Sequence, residues 1–204
     1  MEFINFHNHS EYSFLASLLK VEELVSNYNY FGYNAVALTD TLSTFGYYKL
    51  TKLCENFNCK PIYGIELFFN GINGKGIYPV IFIALNRTGL KNIFHLNSIS
   101  YENFIKNNYY HLSKEILSSH NDGLAVIIES EIYFYRNKPD LLSKLIEFYN
   151  KYFPDNFYVE VNYTGDKKIP ILKEIINIVK QYKLKALATT DNSRDIFEPS
   201  AALL

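Results

Sequence analysis

Seven short runs of apolar, β-branched and aromatic residues recur along these 204 residues, most of them separated by stretches with a helical repeat. The runs are Phe3–His7, Ala35–Thr39, Pro61–Phe69, Tyr78–Leu85, Leu124–Ile128, Phe157–Asn162 and Ala186–Thr189. Between the first two, Val21, Leu24, Val25 and Tyr28 fall at i, i+3, i+4 and i+7, one face of a helix over Val21–Tyr30. Leu141–Phe153 and Ile169–Tyr182 repeat that spacing. Strands alternating with helices predict a parallel sheet. Seven strands in a chain that can bury one sizeable core predict a closed or nearly closed barrel. Barrel chemistry sits at the C-terminal strand ends, and His7, Asp40, Glu66 and Asp191 each fall at or just past such an end. The glycine-rich stretch Gly71–Gly76 is followed by an apolar strand instead of a helix, so it reads as a hairpin-like turn and not as a phosphate cradle.

His7 and His9 close the first run. On an extended backbone residues i and i+2 point the same way, so the two imidazoles project from one side, as a strand offers nitrogens to a metal ion. A bare His-x-His is equally compatible with surface or capping histidines. His95, His111 and His120 share no such spacing and read as ordinary surface or core residues. Cys54 and Cys59 match no zinc-knuckle spacing and make no disulfide framework; they read as reduced thiols in a helix and its exit.

The segment from His7 to Ser13 resembles the opening motif of the PHP family, the polymerase and histidinol phosphatase domains. Ala35 to Thr41 with Phe45-Gly46, then Lys60-Pro61-Ile62-Tyr63-Gly64-Ile65-Glu66, resemble its next two motifs in order. Further similarity runs through Ala84–Asn92, Asp122-Gly123-Leu124, Phe153–Glu160 and Ala188–Asp191. The resemblance is to the branch found at the N-terminus of bacterial DNA polymerase III alpha subunits. It implies one domain over residues 1–204, the N-terminal part of a longer polymerase chain, folded as an α/β distorted seven-stranded β/α barrel of the PHP type.

An active PHP site holds up to about three metal ions on about nine ligands. Residue by residue, the resemblance carries over His7, His9, Glu66 as the bridging carboxylate, and Asp191. At the other ligand positions stand Ala16, Thr41, Pro79, Ser130 and Ser193. Ala16 and Pro79 have no donor atom in their side chains. The resemblance therefore implies a degenerate centre with no cofactor expected, and at most one zinc or manganese ion on His7, His9, Glu66 and Asp191. The same four could instead form a buried polar network left by a lost metal site. Asp40 is expected to hydrogen-bond the loop after its strand, with Glu11 and Tyr12 in similar packing roles.

The implied function is a structural and interaction role in DNA replication. The implied partners are the remainder of the polymerase subunit and, as in some members, the proofreading exonuclease subunit. The alternative is a working metal-dependent phosphoesterase or 3'-5' exonuclease. The formal net charge of -1 shows no basic footprint, so DNA is expected to be met only through the full polymerase. The 18 Tyr and 16 Phe, with no Trp, fit a compositional bias and require no base-stacking surface. With no basic leader and no membrane-length apolar run, the expected location is cytoplasmic.

Overall fold

The computed structural model describes residues 4–162 and 169–190. Six strands form one sheet in chain order: β1 Ala35–Leu38, β2 Lys60–Phe69, β3 Tyr78–Ala84, β4 Leu124–Ile128, β5 Phe157–Asn162 and β6 Ala186–Thr189. The helices are α1 Val21–Tyr30, α2 Tyr47–Phe57, α3 Arg87–Asn107, α4 Lys114–Ser119, α5 Ser130–Phe134, α6 Pro139–Tyr152 and α7 Ile169–Tyr182.

The sheet is mixed, whereas the alternating pattern predicts a parallel one. β1–β2 and β4–β5–β6 are parallel, but β3 runs antiparallel to both neighbours. The reason lies in the β2–β3 connection, which is too short for a crossover helix. Gly71, Gly74 and Gly76 take φ of 77°, 69° and 95° there, and Gly74 N donates to Gly71 O at 3.0 Å. These are left-handed positions that glycine occupies without a Cβ penalty, so the expected hairpin-like turn forms.

One face of the sheet carries the main core, against which the helices pack. The other face encloses Ile81, Ile83, Ala125 and Ile127, joined by Ile62 of β2, Tyr158 of β5 and Leu187 of β6. Side chains from both ends of the sheet meet in that small cluster, so the sheet is curled into a trough. Phe6 fills it from the N-terminal segment.

That segment is the expected first strand, and residues 4–7 form no ladder. Buried asparagines tie it to the sheet instead. On one side Asn8 N donates to Thr39 Oγ1 at 2.9 Å, Thr39 N to Asn8 O at 2.9 Å, and Asn8 Nδ2 to Ala37 O at 3.0 Å. On the other, Thr190 N donates to Asn5 Oδ1 at 3.1 Å and Asn5 Nδ2 to Thr190 O at 2.5 Å. Asn5 Nδ2 also reaches Asn8 Oδ1 at 2.8 Å. Two amide side chains thus span from β1 to the end of β6. Their short polar arms compete with the ladder that the apolar pattern predicts.

Candidate metal centre

β2 is the long strand of the sheet's first half, and Leu38, the end of β1, already pairs with Tyr63. The chain after β1 continues alongside it: Glu66 N donates to Asp40 O at 3.1 Å and Leu42 N to Glu66 O at 3.0 Å, with Thr41 opposite Glu66. Glu66 faces the trough, because it pairs with Ile81. Glu160 of β5 has the same parity as Tyr158 and faces the trough from the other side. His7 and His9 come down between them on the asparagine-pinned segment.

His7 and His9 do project together, with ring centroids 4.8 Å apart and planes at 64°. Their Nε2 atoms approach to 2.9 Å, and His7 Nε2 lies 3.6 Å from Glu66 Oε1. His7 Nδ1 is held by Glu160 Oε1 at 2.7 Å, and the Thr189 hydroxyl donates to the same oxygen. His9 Nδ1 lies 3.1 Å from Ser13 Oγ and 3.3 Å from Thr41 Oγ1, and Thr41 Oγ1 donates to Glu66 Oε2 at 2.7 Å.

Burial opposes a charge on His7, but Glu160 and then Glu66 outweigh it and push its pKa up to about 10. Burial likewise works to raise Glu66, and His7 reverses this and holds the carboxyl below its usual range. The polar contacts then assign the protons. An imidazolium at His7 donates from Nδ1 to Glu160, and His9 Nδ1 faces the Ser13 and Thr41 hydroxyl oxygens, whose own hydrogens go to Asp40 and Glu66.

Three donor atoms, one each from His7, His9 and Glu66, lie within 4.8 Å of one another, and among the described residues no other group of three His, Cys, Asp or Glu does so. The set suits one zinc or manganese ion once His7 gives up its proton, since metal-bound histidine must be neutral. The second oxygen of Glu66 accepts the Thr41 hydroxyl.

The remaining expected positions are also placed. Pro79 pairs with Phe68, one same-face step from the Glu66–Ile81 pair, so it stands beside the centre with no donor atom to offer. Ser130 opens α5 just past β4, and its buried Oγ has no hydrogen-bond partner; Asn162 Oδ1 at the end of β5 is in the same state. Ala16 lies in the turn after the histidines, with Ala16 N donating to Ser13 O at 3.0 Å. Asp191 and Ser193 lie outside the described residues. Asp40 is fully buried and bonds a different loop from the one expected: not the residues after its own strand but the turn after the histidines, accepting from Ser10 N, Ser10 Oγ and Ser13 Oγ at 2.6, 2.8 and 2.7 Å. Burial lifts its pKa even against those bonds. His95 and His120 form a ring pair 6.0 Å apart, and His111 stacks on Tyr109, all with other partners than the centre.

Glu160 is the residue that sequence reasoning missed. A signal was present: it is the lone carboxylate in the apolar run Phe157–Asn162, on the alternating positions that a strand turns to one side.

Residues 5–164 match the PHP domain family. DNA polymerase III subunit alpha of Buchnera aphidicola from Acyrthosiphon pisum is 29% identical over 198 residues, covering 93% of this chain and 17% of that protein. The subunit of the same name from Borreliella burgdorferi is 30% identical over 188 residues, covering 84% and 16%. The chain thus spans well under a fifth of the length of these relatives. Among solved structures, one described as a putative metal-dependent phosphoesterase from Bifidobacterium adolescentis superposes with a TM-score of 0.60 at 13% identity, covering 93% of this chain and 87% of that one. An amidohydrolase from Chromobacterium violaceum, solved with sulfate and no metal, gives 0.61 at 11% identity with the same coverage. At such identities the likeness is one of fold.

Proposed function

This chain belongs to the PHP domain family, and from that premise we propose that it is the N-terminal PHP domain of a replicative polymerase of the DNA polymerase III alpha type, serving as a structural and docking unit. Residues 1–204 form a single domain in this reading, and the segment at Phe3–His7 takes the seventh place of a distorted barrel. The partners are the remainder of the polymerase subunit and the proofreading exonuclease subunit, and DNA is met through the whole polymerase in the cytoplasm. The names and coverage of the relatives support this assignment. No helix among the described residues is long and apolar enough to cross a membrane.

The observation that carries the non-hydrolytic reading is Thr41 Oγ1 bound to Glu66 Oε2 at 2.7 Å. A hydroxyl stands where the family resemblance expects an imidazole, and it takes the oxygen that a bridging carboxylate needs. His7, His9 and Glu66 would hold one ion, with Asp191 as the fourth donor, and Glu160 would keep the His7 ring oriented through Nδ1. When bound, such an ion lowers the pKa of a coordinated water and polarises a phosphate oxygen. Without further ions the described residues around it supply no second clamp for a phosphoester's leaving oxygen. In the ion's absence His7, His9, Glu66 and Glu160 form a polar network that locks the N-terminal segment to β2 and β5.

The test is turnover of p-nitrophenyl phosphate and of a labelled single strand by the purified chain, with and without manganese. Background rates are expected. The second reading, a working phosphoesterase, draws on the converging donor triad. Manganese-dependent turnover abolished by His9→Ala would establish it. Elemental analysis of protein purified without chelator decides the ion separately, and at most one zinc or manganese per chain is expected.

A further inference from the structure

A second cluster of reactive groups lies at the other end of β2, independent of the metal centre and of any polymerase assignment. α2 ends on Asn58, which is left-handed at φ 52° and ψ 41°. Asn58 N donates to Glu55 O at 3.5 Å, and Cys59 N to Cys54 O at 3.0 Å. This pair of bonds is the Schellman arrangement, which brings the side chains three and two places either side of the helix end into contact. In most proteins that contact is between hydrophobic residues, and here it joins two thiols. Cys54 lies in the main core and Cys59 packs against that core.

Access is graded between them. Cys54 is 1% exposed, Cys59 is half-buried, and both are free. Both line an open cavity of about 630 Å³, together with Asn34, Glu55 and Lys60. The cavity has room for a small thiol compound, and Lys60 and Glu55 place one charge of each sign on its wall.

We infer that Cys54 and Cys59 form a dithiol–disulfide pair that exchanges with small-molecule disulfides of the glutathione class. Cys59, the accessible thiol, loses its proton to solvent and attacks one sulfur of the small disulfide. A mixed disulfide on Cys59 forms, the small disulfide's S–S bond breaks, and one small thiol leaves with a proton. Cys54 then loses its proton and attacks Cys59 Sγ. The Cys54–Cys59 bond forms, the mixed bond breaks, and the second small thiol leaves. Two electrons and two protons pass from the protein thiols to the small disulfide, which ends as two thiols. Burial raises the Cys54 thiol well above its usual range, so the second step is the slow one. The product pins the end of α2 to the start of β2.

The experiment incubates the intact chain with oxidised glutathione, blocks remaining thiols with N-ethylmaleimide, and reads intact mass and peptide maps. The expected product is two hydrogens lighter than the reduced chain, carries a Cys54–Cys59 cross-linked peptide, reverts with dithiothreitol, and melts at a higher temperature. Cys54→Ser is expected to stop at a stable glutathione adduct on Cys59, and Cys59→Ser to remain unmodified. Wild-type readouts decide the matter even where a variant folds poorly. Wild-type chain that accumulates the adduct without closing the cross-link, or that leaves both thiols free for the blocker, overturns the inference.

Discussion

Glu160 matters through charge as much as through geometry. It is 4% exposed, and its Oε1 takes both the His7 Nδ1 proton and the Thr189 hydroxyl. Glu160→Gln keeps an acceptor at that place and removes the charge that does most to hold a proton on His7. In the presence of chelator the substitution should cost about 2 kcal/mol near neutral pH, the scale of a lost charge-assisted bond. The sign of its pH dependence follows from His7. A raised histidine contributes stability that is complete below its unfolded pKa of 6.5 and is lost as pH rises through about 10. The gap between wild type and Glu160→Gln should therefore narrow across that window, as urea unfolding at a series of pH values would show. A constant gap would mean that Glu160 acts by packing alone. His7 and His9 were legible in the sequence because they close an apolar run and carry metal-binding atoms, whereas Glu66, expected at a strand end and found inside β2, was legible through the resemblance of its segment to a PHP motif. Glu160 showed only as a lone carboxylate in an apolar run, because its partner His7 lies 153 residues earlier and no local pattern encodes that approach.

At the scale of elements, the reversal of β3 and the short helix α5 belong together. Glu131, in the first turn of α5, is fully buried and accepts from Ile72 N in the β2–β3 turn at 3.1 Å, and Tyr135 Oη donates to Asn73 Oδ1 at 3.0 Å. Its other oxygen has no hydrogen-bond partner by geometry, although Tyr149 Oη is close enough to pull its pKa slightly down. Burial dominates and pushes Glu131 up to about 8. The folded chain then keeps a proton that the unfolded chain has released, so stability should fall as pH rises from about 4.5 to about 8. Glu131→Gln should match wild type near pH 5 and exceed it by about 1–3 kcal/mol at pH 8. Denaturant midpoints at the two pH values check this, and an equal difference at both would refute it. A second element-level prediction concerns Gly89 in α3. Alanine is ordinarily the better helix former, yet a Cβ here would sit 1.9 Å from Gly123 O. Gly89→Ala should therefore destabilise by about 1–3 kcal/mol, as overpacking does, with the loss visible in the thermal midpoint. The helices α1, α6 and α7 were readable from apolar spacing. The direction of β3 was not, because a strand's periodicity is the same whichever way it runs.

For the molecule as a whole, the expected barrel became a curled six-stranded sheet whose two edges are joined through Asn5 and Asn8. The run Phe3–His7 looked like a strand because Phe6 does face an apolar interior, as one side of a strand would. What the pattern hid was that Asn5 and Asn8, on either side of Phe6 and His7, carry the bonding. Asn8→Ala should remove the contacts to Ala37 and Asn5 together and cost about 1–3 kcal/mol. Amide exchange at Thr39 should quicken with it while the centre of β4 stays protected. Uniform loss of protection instead would mean that the closure and the sheet unfold as one unit.

The same closure gives the chain a mechanical polarity. Force applied at the N-terminus would load Asn5 and then Asn8 in sequence, as a zip is opened tooth by tooth, instead of shearing a row of backbone bonds at once. The arm should peel away at low tension and take both imidazoles with it, leaving Glu66 and Glu160 behind on the sheet. A tether pulling on this end would thus dismantle the donor cluster long before it unravelled the fold.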